Sequence, residues 1–93
     1  MSTVENSEAR LKRMRMRAWR RGTKEMDLVM GPFADAHLAG MDAATLDAFE
    51  ALQDENDQDL ITWVLGQVPA PAPHAALVAA MAAFARARLS PGA

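Results

Sequence analysis

The chain has 93 residues, no cysteine and a formal net charge of −2, with 51% hydrophobic residues. That length suits one domain that buries about two thirds of its extended surface, a modest core that needs no staples. Without cysteine there is no disulfide, no thiol nucleophile and no cysteine-bound zinc, and a reducing compartment suits the chain.

The hydrophobic residues are chiefly Ala, Leu and Met, with a single Ile and no Tyr, which favours helices over sheet. The expected fold is all-α, a single-domain bundle of about five helices with short loops over residues 1–93, and with mobile tails at about 1–7 and 90–93. No apolar run is long enough to span a bilayer, and the N-terminus lacks the apolar core of a secretory signal. Glu5 and Glu8 ahead of the basic run argue against a mitochondrial presequence, which avoids acids. Charge is unevenly spread: eight of the ten basic residues lie between Arg10 and Lys24, and seven carboxylates crowd Asp42 to Asp59. Two oppositely charged regions can steer a partner, or they can neutralise each other inside the bundle.

The first helix is predicted from about Ser7 to Arg20 or Arg21. At 100° per residue Leu11, Met14 and Ala18 share one stripe, while Arg10, Arg13, Arg17, Arg20 and Arg21 gather opposite. Met16 and Trp19 fall between the faces and are expected to stay partly exposed. Gly22 is the hinge to the second helix, since a residue without Cβ takes the left-handed conformation at no steric cost. With Gly22 as cap, Glu25 falls at the third helical position, where a carboxylate reaches the free N–H groups and the positive dipole end. Arg21 beside the bend is expected to project its donor fork outward, as a recognition group or as a solvated cation.

The second helix runs from about Thr23 to Leu38 or Ala39 with Met26, Val29, Met30 and Phe33 inward, and Gly31-Pro32 is expected to kink it. Asp27 lies away from Met26 and Met30, and either screens arginines of the first helix or joins a docking surface. His37 has the free carbonyls of the helix end to interact with. Gly40 stops this helix, Asp42 caps the third, and Leu46, Phe49 and Leu52 face inward. Gln53 to Asn56 is a polar connection, and Asp57 is expected to cap a fourth helix that turns Leu60, Ile61, Val64 and Leu65 inward and ends at Gly66. Trp63 is assigned to the core, with a contact patch as the alternative. Val68 to Pro73 should run extended as a strap, and a last helix from near Pro73 to about Leu89 closes the core with Leu77, Val78, Met81, Phe84 and Ala85.

No nucleophile elbow, phosphate loop or dinucleotide fingerprint occurs, and the acidic middle lacks the spacing of a calcium loop. An enzyme is therefore not expected, and no metal site is. Arg21-Gly22-Thr23-Lys24-Glu25, followed by Met26-Asp27-Leu28, resembles the Arg-Gly-x-x-Glu signature of the succinate dehydrogenase assembly factor family. The resemblance extends in order through Gly31-Pro32-Phe33-Ala34-Asp35, Phe49-Glu50-Ala51-Leu52 and Asp57 to Gly66, covering about Arg10 to Leu89. It implies a helical chaperone that binds the flavoprotein subunit of succinate dehydrogenase, or of fumarate reductase, and promotes covalent attachment of FAD. In that family the bond joins a flavin methyl carbon to a histidine of the partner. This chain would then bind no cofactor stably and act in the bacterial cytoplasm without entering a membrane.

The resemblance carries Arg21, Gly22 and Glu25 over as partner-binding residues, with Asp27, Arg20 and Trp19 beside them. On that reading Arg21→Ala abolishes flavin attachment while leaving melting near wild type. Clustered arginine with a tryptophan also suits a small nucleic-acid-binding module, which would depend on Arg13, Arg17 and Arg20 together. A purely structural subunit is the third possibility, and it would show neither loss.

Overall fold

The computed structural model describes residues 6–89. Five α-helices follow in order: α1 (Ser7–Trp19), α2 (Lys24–His37), α3 (Ala43–Gln53), α4 (Asp57–Val64) and α5 (Ala72–Leu89), with one turn of 3-10 helix at Leu38–Gly40. The all-α expectation holds. Ser7, expected in the tail, opens α1, and Asn6 before it is the N-cap, its Oδ1 accepting the Ala9 N–H at 2.7 Å. The rest of that expectation, residues 1–5 and 90–93, lies outside the described residues.

α1 packs chiefly on α2, and α5 closes the bundle against α2, α3 and α4. Between them Met14, Ala18, Met26, Met30, Phe33, Leu38, Phe49, Leu52, Leu60, Val78 and Met81 are buried together. Phe33 sits at the centre of the aromatic part, with its ring 5.9 Å from those of both Phe49 and Phe84. Burying such side chains contributes roughly 1.5–3 kcal/mol apiece, which is what holds short helices that would fray alone. Leu65 departs from the expected inward set: it follows the last turn of α4 and is 64% exposed.

The caps differ from the sequence expectation in two places, each for a local reason. Gly22 is the hinge, at φ +105°, but Thr23 is the cap of α2, its Oγ1 accepting the Met26 N–H at 3.3 Å. Glu25 is thereby the second residue of α2 instead of the third. Asn56, not Asp57, caps α4 through the Asp59 N–H at 2.9 Å, because the Asp57 carboxylate is engaged elsewhere. Asp42 caps α3 as expected and bonds the Thr45 N–H at 2.8 Å; these bonds hold its carboxyl below the ordinary value. α4 ends as expected at Gly66, φ +75°, where the Gly66 and Gln67 N–H groups return to the carbonyls of Trp63 and Thr62. α5 opens at Ala72, so Ala72 and Pro73 leave the strap and enter the first helical turn.

Gly31-Pro32 lies inside a continuous α2. Pro32 has no N–H for the carbonyl four residues back, which belongs to Leu28, and Arg88 of α5 donates to that carbonyl from 3.4 Å. The proline thus leaves an acceptor that fastens the end of α5 to α2.

Candidate functional site

The corner between α1 and α2 holds every residue singled out for partner binding, though it uses them in two different ways. Arg21 does not project outward. Its side chain is 8% exposed, and Asp57, its ion-pair partner, is 10% exposed. Nε donates to Asp57 Oδ1 at 2.9 Å, Nη2 to the Glu55 carbonyl at 2.6 Å, and Nη1 to the carbonyl of Gln53. The expectation failed because it weighed the cost of a buried cation without its acceptors. α3 ends at Gln53, where helix carbonyls lack partners of their own and the dipole is negative. A planar fork matched to one carboxylate and two carbonyls is among the few ways to bury a guanidinium.

The other oxygen of Asp57 accepts the Thr23 hydroxyl at 3.1 Å, and the Arg21 N–H donates to Asp27 Oδ1 at 2.6 Å. The residues on either side of Gly22 are thereby fixed, one through Asp57 and Asp27 and the other through Asp57. A Cβ on Gly22 would meet only Asp57 Oδ2, at 3.9 Å, so the glycine is required by its backbone angle and not by lack of room. Asp27 belongs to this inner set and is half-buried.

What the corner shows to solvent is Trp19, Arg20, Gly22, Lys24 and Glu25, flanked by Met16 and Leu28. Trp19 and Met16, expected to stay partly exposed, are 41% and 44% exposed. Trp19 is nonetheless held: one face of its indole lies against Gly31, where an added Cβ would come within 2.4 Å of the ring, and its Nε1–H donates to Asp35 Oδ2 at 3.2 Å. Arg20, Lys24 and Glu25 make no ion pair among the described residues.

The rest of the basic face meets the acidic half of the same bundle. Arg10 pairs with Asp47 at 2.7 Å and Glu50 at 3.0 Å, Arg13 with Glu50 at 2.7 Å, and Arg17 with Asp54 at 2.9 Å. Bonds from Arg13 first, and then Arg10, hold the Glu50 carboxyl below its ordinary value, and Arg10 is raised by its bonds to Asp47 and Glu50.

Sequence reasoning missed Gln53, Thr23, Asp57, Gly31 and Asp35. Gln53 was assigned to a polar connection, yet it is buried and its Nε2 donates to the Met14 carbonyl at 2.8 Å. Asp57 carried the signal of a helix cap, and nothing local links it to an arginine 36 residues earlier. His74, unassigned before, is buried at the start of α5, with Nε2 3.2 Å from Glu55 Oε2 and its ring stacked on Trp63. His37 packs its ring on Phe33 and Phe84. No group of three metal-ligating side chains is arranged for a metal ion among the described residues.

The described residues form a small helical domain whose exposed corner is braced from within, and the class it belongs to is that of the assembly factors. The chain belongs to the family described as the flavinator of succinate dehydrogenase, whose model matches residues 12–85. It is 36% identical over 67 residues to the FAD assembly factor SdhE of Acetobacter pasteurianus, covering 72% of this chain and 62% of that one. It is 37% identical over 68 residues to the mitochondrial succinate dehydrogenase assembly factor 2 of Mycosarcoma maydis, covering 73% and 29%. With the FAD assembly factor SdhE of Aliivibrio fischeri the figure is 43% over 49 residues, covering 53% and 57%. The matches thus span less than two thirds of the length of these relatives. Their names are those of assembly factors, not catalysts.

Proposed function

We propose that this chain promotes covalent attachment of FAD to the flavoprotein subunit of succinate dehydrogenase, or of fumarate reductase, by docking the α1–α2 corner on that subunit. The observation that carries the reading is the buried Arg21–Asp57 pair, which fixes the backbone around Gly22 while Trp19, Arg20 and Glu25 stay exposed. Arg21 then acts as a positioning residue and not as a contact. A surface set in advance loses less conformational freedom on binding, so more of its contact energy is available to hold the partner. Gly22, without a side chain, lets the partner backbone come close.

The flavin belongs to the partner. The donors of Arg21 are directed inward, to Asp57 and to the carbonyls of Gln53 and Glu55, and not toward a partner. The nucleic-acid reading is disfavoured because Arg13 and Arg17 are already paired with Glu50 and Asp54. No helix among the described residues is long and apolar enough to cross a membrane; the bacterial cytoplasm is the compartment this reading assigns.

The test is co-expression with the flavoprotein subunit in cells lacking the endogenous factor, with covalent flavin read as fluorescence of the denatured flavoprotein band. Arg20→Glu should cut that signal several-fold at unchanged melting temperature, and Trp19→Ala should cut it too, in a variant that still folds but melts lower because the indole rests on Gly31. Wild-type flavinylation by folded variants at both positions would refute the docking role.

A further inference from the structure

Beside the corner, between α2 and α4, lies a half-enclosed depression of about 110 Å3 lined by Glu25, Met26, Val29, Ile61, Val64 and Leu65. Its walls follow from helix geometry. Glu25 and Val29 stand at i and i+4 on α2, and Ile61, Val64 and Leu65 at i, i+3 and i+4 on α4 and its cap, so each helix turns one row toward the other. The lining is almost wholly apolar, with Glu25 at its edge. Leu65 on its edge is 64% exposed, and Leu28, one turn before Pro32 on α2, is 48% exposed.

Size and charge narrow what fits. A buried cavity of about 150 Å3 accepts benzene, so 110 Å3 suits one aliphatic side chain and not a flavin or a lipid chain. The rim carries one carboxylate, that of Glu25 in the first turn of α2. Glu25 has no cation partner among the described residues. A cation is therefore favoured next to the apolar group.

We propose that this pocket takes one aliphatic side chain of the flavoprotein that docks on the corner, with a Lys or Arg close to it in that partner's sequence meeting Glu25. The inference rests on the docking role proposed above and gives it an anchor: a buried apolar side chain in a formed pocket, ringed by polar contacts, is where interface energy concentrates. It also gives a use to Glu25, exposed and four residues from Val29 on α2, besides its place in the first turn of that helix.

The experiment uses the full chain with labelled methyl groups, titrated with the purified flavin-free flavoprotein subunit. Methyl signals of Val29, Ile61, Val64 and Leu65 should shift together with the amides of Gly22 and Lys24. Amide shifts without methyl shifts would overturn the pocket and leave docking standing; no shift in either set would overturn both. Methyl shifts that grow with concentration of this chain alone would assign the pocket to a second copy and overturn the proposal. Val64→Phe, which fills the depression, should weaken binding about tenfold. Leu65→Asp on the rim serves if that variant does not fold, and Glu25→Gln should weaken binding several-fold and flatten its salt dependence. Wild-type affinity in both Leu65→Asp and Glu25→Gln would also overturn it.

Discussion

Arg17, in the last turn of α1, and Arg21, just past its end, reach the same end of α3 and both donate to the carbonyl of Gln53. Their surroundings differ. The Arg17–Asp54 pair has side chains 35% and 69% exposed, whereas those of Arg21 and Asp57 are 8% and 10% exposed. An exposed pair gains little over its two hydrated ions and is screened by salt, so Arg17 with Arg10 and Arg13 forms a ladder that sets how α1 lies on α3. A buried pair has already lost its water, and removal of either member strands the other. The same residue type four positions apart is therefore adjustable packing in one place and a latch in the other.

The largest effect should come from breaking the latch. Arg21→Ala leaves Asp57 and two carbonyls without their donor, at a cost of about 3–5 kcal/mol. For a domain of this size that lowers the melting temperature by roughly 4–8 °C per kcal/mol, readable by circular dichroism. This reverses the sequence expectation that Arg21→Ala would spare stability. A double-mutant cycle with Asp57→Ala should give coupling well above that of Arg17 with Asp54, which should be about 0.2–1 kcal/mol. Equal coupling in the two cycles would erase the distinction.

Two glycines come next. Gly22→Ala forces a side chain into the left-handed region at φ +105°, at a cost of about 1–3 kcal/mol, although space for the methyl is present. Gly31→Ala acts by room instead: its methyl would displace the Trp19 ring and break the bond to Asp35. Tryptophan fluorescence in a Trp63→Phe background should shift for Gly31→Ala and stay near wild type for Gly22→Ala. If the two spectra move alike, Trp19 is not resting on Gly31 in solution.

The helices, most of their inward faces and the hinge at Gly22 were legible in the sequence because periodicity, caps and left-handed glycine are local signals. Met14, Met30, Phe49 and Leu60 could be placed from spacing alone. The latch was not legible, because its chemistry joins residues 32 to 36 positions apart and two of its three acceptors are backbone carbonyls, which every residue carries. Gly31 was read beside Pro32 as a kink, while its contact is with a tryptophan on another helix. Asp57 had a plausible cap to make, and only the fold reveals that Asn56 makes it. Local signals located the corner correctly, then, but not the direction in which its arginine points.

The smallest effect belongs to the ladder and is a matter of pH. Glu50 is held below its ordinary value by Arg13 and Arg10, and Asp42 by its cap bonds to Thr45. A carboxyl whose folded value is depressed binds protons less readily in the folded than in the unfolded chain. Its contribution is present in full above the unfolded value, near 4.5 for Glu50 and 3.8 for Asp42, and is lost as pH falls through the lower folded value. Melting temperature should therefore be level from neutral pH to about 5 and decline below it. Glu50→Gln should make that decline shallower, at a cost near neutrality that matches the stability its carboxylate loses in acid. An equal acid slope in wild type and Glu50→Gln would mean that the ladder carries no pH-dependent stability, with the Asp42 cap the next to replace, by Asn.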